Sequence, residues 1–173
     1  LLIELGGALV LSIRFIPLYG WKTGVLYSVF HSVSAFCNAG FDLFGHFRSL
    51  TQFQRDPMVL VTLMVLIILG GLGFFVLTEF IHFRFHFRKF SLHTKLVLAI
   101  SGVLLLTGMV LVLALEWDNP STLGDPSLGF GDKLINALFQ STTLRTAGFS
   151  TLDQARLSDS TKLIDVIFMF VGA

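Results

Sequence analysis

The sequence predicts an all-α integral membrane protein built from a repeated unit of membrane helix, re-entrant helix, loop and membrane helix. Three observations carry that reading. First, hydrophobic residues make up 54% of the chain and charged residues 13%, with a mean hydropathy of +0.80. A soluble domain carries about 25% charged residues, so this chain lacks the charge to cover a water-facing surface. Second, residues 58–81 and 95–115 are apolar runs. At about 1.5 Å per residue both are long enough to cross a ~30 Å hydrocarbon core. Third, Ala-Gly-Phe occurs twice, in N-A-G-F-D (residues 38–42) and T-A-G-F-S (residues 146–150), 108 positions apart.

Taken in order, residues 1–11, extending as far as Ile16, read as the remaining part of a membrane helix. Residues 24–37 (GVLYSVFHSVSAFC) are too short to cross and too apolar for an outer loop, which is the signature of a re-entrant segment. They lead into the first loop, 37–41, and then into 58–81, apolar except for Thr62, Thr78 and Glu79. Residues 82–95 carry Arg84, Arg88, Lys89 and Lys95 and no acid, so the positive-inside rule makes 82–94 a cytoplasmic loop. The run 95–115 then goes outward. Residues 116–132 hold Glu116, Asp118, Asp125 and Asp132 and no Lys or Arg, as expected outside. A second re-entrant segment, 133–144 (KLINALFQSTTL), precedes the second loop, 145–149. Residues 163–173 begin an inward helix too short to cross.

Two units, 1–81 and 95–173, therefore share one order of elements. Residues 30–41 align with 138–149 without a gap, pairing Ser34 with Thr142 and Ala35 with Thr143. The chain starts without Met or a basic leader region and ends inside an apolar run, so the expectation is an excerpt of a longer polypeptide.

The loops invite a specific chemistry. Irregular backbone at membrane depth survives where it lines a watery cavity or is buried in protein. Backbone carbonyls can replace the water shell of an ion. Turning successive carbonyls one way demands angles that glycine accepts freely, which singles out Gly40 and Gly148. The C-terminal end of each preceding helix adds partial negative charge favouring a cation. Phe41 and Phe149 would wedge behind the loops and hold their diameter. The bland alternative is that these glycines only turn the chain; two copies in one context weigh against it.

The remaining groups have readings of their own. Arg145 beside a cation site is expected to pair with an acid behind the loop or at the outer mouth. Asp42 either attracts cations or caps the outer turn. The acids of 116–132 either enrich cations at the mouth or belong to a solvated loop. His31 reads as a hydrogen-bonded packing residue. Arg14 falls near the outer surface, with Glu4 facing the protein interior. Gly70, Gly71 and Gly73 allow close packing or bending of a helix. His82, His86 and His93 lack a further ligand and suggest a basic loop at lipid headgroups or a cytoplasmic subunit, with no transition-metal site. The net charge of +1 argues against nucleic acid, and the single cysteine, Cys37, excludes an internal disulfide. An intramembrane enzyme or a structural scaffold stays as the competing class, although no G-x-S-x-G, H-E-x-x-H or paired-aspartate motif occurs.

"SAFCNAGFDLFG" (34–45) and "STTLRTAGFSTLD" (141–153), with "LIILGGLGFF" (66–75), resemble the loops and inward helix of the Ktr/Trk/HKT superfamily of potassium uptake proteins. The bacterial Ktr-type membrane subunit is the most similar. The resemblance covers nearly the whole chain and implies the second and third of four membrane-pore-membrane repeats around one pore. It makes 24–37 and 133–144 pore helices and the two loops selectivity filters. The potassium-lining carbonyls would be those of Cys37, Asn38, Ala39 and Gly40, and of Arg145, Thr146, Ala147 and Gly148. Potassium is then the transported ion and no cofactor is needed in this chain. The resemblance further implies the remaining two repeats, membrane lipid, a second copy and a cytoplasmic nucleotide-binding regulatory subunit as partners. The location would be the cell membrane, and in bacteria the inner one. A Gly-rich gate would begin where the chain stops, at 171–173. Glycine at both filter positions fits potassium; a sodium-preferring or non-selective relative is the alternative.

Overall fold

A computed structural model describes residues 1–45, 48–83 and 87–172, and all regular structure among them is helical. Seven α-helices run in order: α1 (Leu2–Tyr19), α2 (Trp21–Phe36), α3 (Pro57–Gly71), α4 (Phe74–Phe83), α5 (Leu92–Glu116), α6 (Phe130–Thr143) and α7 (Asp159–Gly172). Arg84 and His86 of the basic loop, and Ala173, lie outside the described residues.

Local chemistry explains the boundaries. Gly20, at φ +80°, turns α1 straight into α2. A Cβ on Gly24 would lie 2.6 Å from the Ile16 Cα, so α1 and α2 touch backbone to backbone. Asp56 accepts the Val59 N–H at 3.4 Å and Pro57 takes the first helical position of α3, where its missing N–H costs nothing. The same aspartate pairs with Arg14 Nε at 2.5 Å, tying α1 to the start of α3. Ser91 caps α5 through the Thr94 N–H at 3.3 Å, and Asp132 accepts the Gly129 N–H at 3.0 Å at the head of α6.

Helices α1 and α5 are each long and apolar enough to cross a membrane. The expected single inward helix over 58–81 is corrected: α3 and α4 meet at a bend of 101°. Gly73, at φ +83°, sits at the break in a conformation costly for any side chain. Immediately before it, Gly70 presses on the end of α2, where a Cβ would fall 1.8 Å from the Phe36 carbonyl oxygen. Hydropathy runs unbroken through Phe74, Phe75 and Val76, so an apolar count does not register the break.

The second half sets the depth of its short helix. Ser141 donates to the Leu105 carbonyl at 2.8 Å, and Leu105 lies at the middle of the 25-residue α5. Helix α6, about 21 Å long, therefore ends opposite the midpoint of a membrane-crossing helix. A Cβ on Gly108 would lie 2.3 Å from Ser141 Oγ, so this close approach needs glycine.

Glu116 overturns both readings offered for it, since it is neither a solvated loop residue nor a surface attractor. It is fully buried. Its carboxylate accepts from Asn119 Nδ2 (2.7 Å), Thr122 Oγ1 (2.5 Å), the Ser158 N–H (2.9 Å) and Thr161 Oγ1 (2.5 Å). The C-terminal end of α5 thereby holds both the 117–129 loop and the start of α7. One apolar cluster crosses the two halves, joining Leu11, Phe15, Phe53, Leu63 and Ile67 to Phe139, Ala147 and Phe149.

Candidate functional site

The two loops leave α2 and α6 with the same backbone pattern. Asn38 and Thr146 have φ of +50° and +65°, and Gly40 and Gly148 have φ of +70° and +81°. A left-handed non-glycine residue is uncommon and costs energy, so its recurrence at equivalent positions marks a conformation that the surroundings impose. Each loop is tied to its helix in a similar way. Ala39 N–H donates to Ser34 O at 2.9 Å and Ala147 N–H to Thr143 O at 3.0 Å. Ser34 Oγ donates to Phe41 O at 2.8 Å and Thr143 Oγ1 to Phe149 O at 2.5 Å. The gap-free alignment pairs Ser34 with Thr142, but Thr142 turns back on Leu138 O at 2.8 Å. The tether has moved one residue along the chain.

The loops meet at their glycines. A Cβ on Gly40 would fall 2.6 Å from Ala147 O and 2.7 Å from Gly148 Cα; one on Gly148 would fall 3.0 Å from Gly40 Cα. Residues 108 positions apart are thus in backbone contact. Among the other candidate residues, Cys37, Ala39 and Thr146 are exposed, Asn38 and Arg145 half-buried and Ala147 buried. Beyond the loops the halves are stitched again: Leu50 N–H donates to Ser150 O at 2.8 Å and Asn136 Nδ2 to Gln54 O at 2.8 Å.

The two phenylalanines part company. Phe149 is 1% exposed and wedges into the seam between the halves, its ring 6.4 Å from His31. Phe41 is 69% exposed, so the expected wedge behind the first loop is corrected. Its side chain flanks an open, wholly apolar groove with Leu26, Val29, Phe30 and Val33. Phe149 packs instead in the apolar cluster that joins the two halves, with Phe139 and Ala147.

Arg145 is corrected as well. Its Nη2 donates to Ser101 Oγ at 2.8 Å on α5, in place of the expected acid, while its carbonyl accepts the Thr146 hydroxyl at 2.6 Å. Asp42 accepts the Phe44 N–H at 3.1 Å, a turn-capping bond. His31 is buried behind the first loop and stacks on Phe44 at 4.4 Å. Its Nδ1 is 2.7 Å from Tyr27 O and its Nε2 accepts the Leu43 N–H at 3.3 Å. One nitrogen must donate and the other accept, so the ring is neutral with its proton on Nδ1.

Gln140, Gln154 and Asp165 stand behind the second loop, and none was singled out by sequence. An aspartate inside an apolar helix was the available signal. Among the described residues no group of three His, Cys, Asp or Glu side chains is placed to hold a metal ion. What the loops do offer is backbone, held in a repeated and strained shape.

A family profile described as TrkH, cation transport protein, matches residues 2–173. The Ktr system potassium uptake protein B of Vibrio alginolyticus is 44% identical over 100% of this chain and 37% of its own length. The Ktr system potassium uptake protein B of Bacillus subtilis (strain 168) is 44% identical over 99% of this chain and 37% of its own. The potassium/sodium uptake protein NtpJ of Enterococcus hirae is 38% identical over 98% of this chain and 36% of its own. The chain spans little more than a third of the length of these relatives.

Proposed function

The chain belongs to the TrkH family of cation transport proteins, and from that premise we propose that its two loops are two parts of one potassium filter. The observation that carries this is the contact between Gly40 and Gly148, two glycines of the same φ sign in equivalent loops. The potassium-lining groups are the backbone carbonyls of residues 37–40 and 145–148. Replacing water by carbonyl dipoles lets an ion enter without a fixed charge, and the ends of α2 and α6 add negative potential at that spot. Membrane potential then drives uptake, at about 2.3 kcal/mol per charge per 100 mV.

The contact between the halves is head-to-tail: Phe149 of the second unit sits on His31 of the first, while Phe41 of the first is open. A heterologous contact of this kind closes into a ring when repeated through a suitable rotation. Two further repeats in the same polypeptide, completing a four-repeat pore, would cover Phe41 and its groove. By the same resemblance the whole protein is a homodimer in the membrane of a bacterial cell, with a cytoplasmic nucleotide-binding regulatory subunit. The named relatives are uptake proteins, which supports transport over catalysis.

The test is Gly40→Ser and Gly148→Ser in the full-length protein, reading potassium and sodium uptake per folded molecule. Strain of about 1–3 kcal/mol at each site lowers potassium affinity roughly five- to hundredfold, more than sodium affinity. Loss of folded yield with unchanged selectivity in both variants overturns the filter. Sodium preference in the unmutated protein would instead mark it as a sodium-preferring member of the family.

A further inference from the structure

Resting on the reading of residues 145–148 as a filter, we propose that Asp165 is a positioning residue for that filter, acting through Gln140 and Gln154. Asp165 lies on α7 and is 4% exposed. Its Oδ2 accepts from Gln140 Nε2 at 2.8 Å, and Gln140 is itself buried in α6. Gln140 and Gln154 exchange amide bonds at 3.0 and 3.4 Å. Gln154 Nε2 also donates to Ser150 Oγ at 2.8 Å. Ser150 directly follows Phe149, and its own hydroxyl proton goes to Leu152 O.

Counting protons fixes the direction of the whole chain. The Ser150 hydroxyl is spent on Leu152, so its oxygen can only accept from Gln154. Both amide protons of Gln154 are then used, on Ser150 and on Gln140 Oε1. Both amide protons of Gln140 are used as well, on Gln154 Oε1 and on residue 165. The relay therefore has to end in an acceptor at 165. A carboxylate oxygen provides one; an apolar side chain leaves a buried N–H unpaired and frees the Gln140 amide to turn. Turning it breaks the exchange with Gln154 and takes the donor away from the hydroxyl of Ser150, the residue at the exit of the second loop. Among the described residues the first loop has a different brace, the His31 imidazole that accepts the Leu43 N–H. The residue aligned with Gln140 is Ser32, which donates to Glu4 O at 2.6 Å on α1. The relay thus couples one filter loop, and not the other, to the inward helix α7.

The experiment uses the full-length transporter in liposomes and reads the potassium-to-sodium uptake ratio per folded molecule. The variants are Asp165→Leu, Asp165→Asn and Gln154→Ala, with Gly148→Ser as the reference for the filter itself. Gln154 is exposed, so its variant reports even where Asp165→Leu lowers the folded amount. Asp165→Leu and Gln154→Ala should each lower the ratio on the order of fivefold or more, the effect of one unsatisfied buried group. The two together should do little more than either alone. Asp165→Asn keeps an acceptor oxygen and should restore the ratio. An unchanged ratio in both Asp165→Leu and Gln154→Ala overturns the proposal. So does an Asp165→Asn variant as impaired as the leucine, since charge and not the acceptor would then matter. If Gly148→Ser also leaves the ratio unchanged, the filter reading falls; if only Gly148→Ser moves it, the filter stands and the relay falls.

Discussion

The first and second loops have one backbone shape and two different kinds of support. Both place a non-glycine residue and then a glycine at positive φ. Behind the first, an imidazole accepts the Leu43 N–H and stacks in a group of rings with Tyr27 and Phe44. Behind the second, two glutamines and an aspartate form a chain of hydrogen bonds that ends on another helix. Even the shared hydroxyl tether comes from non-equivalent positions, Ser34 and Thr143. The lesson is that the common requirement is the path of the main chain. Side chains that hold the path are interchangeable, provided that each buried polar group finds a partner.

The largest expected effect breaks the comparison at its base. Gly70 supports the first loop through contact with a backbone carbonyl, whereas Gly108 on α5 seats α6 through the Ser141 side chain. A backbone atom cannot rotate away. Gly70→Ala should cost about 3 kcal/mol or more and sharply lower the folded yield, while Gly108→Ala should cost about 1–2 kcal/mol. Thermal unfolding in detergent, run beside Gly102→Ala, which meets nothing within 4 Å, measures both. Equal losses at Gly70 and Gly108 would mean that the first loop is no more tightly seated than the second helix.

A smaller effect tests whether the two supports are separate. His31→Leu leaves the Leu43 N–H without its acceptor and should cost about 1–2 kcal/mol. His31 and Asp165 share no hydrogen-bond partner. Their losses should therefore add within about 0.5 kcal/mol in the double variant. A clear departure from additivity would join the two supports into one network across the Gly40–Gly148 contact.

The smallest effect on the protein itself concerns orientation. With Cys37 replaced by Ser, a cysteine at Ser127 should react with an impermeant thiol reagent in intact cells. One at His93, at the start of α5, should be protected. The reverse pattern would invert the membrane topology and with it the direction of α2 and α6.

Several features of the site were legible in the sequence because they are local. Gly40 and Gly148 stood out through a repeated triplet, and the position of each before an apolar run gave the element order. His31 read correctly as a hydrogen-bonded packing residue. Asp165 does not stand out, because residues 163–173 form a short apolar run and a single aspartate changes a hydropathy average very little. Glu116 misleads for the opposite reason: it sits in an acidic stretch whose other members make a solvated loop look natural.

By itself the sequence determined the membrane class, the two short helices that lead into the loops, and the need for glycine at residues 40 and 148. Those properties follow from hydropathy, segment length and the steric cost of a Cβ, which neighbouring residues decide among themselves. Only the tertiary structure decided that α3 and α4 part at Gly73, that Arg145 meets Ser101 and not an acid, and that Phe149 is covered while Phe41 is open. It alone placed Gly40 against Gly148. Each of these depends on which surface another helix presents at that point. Such contacts join residues tens of positions apart, and a pattern read along the chain has no term for direction in space.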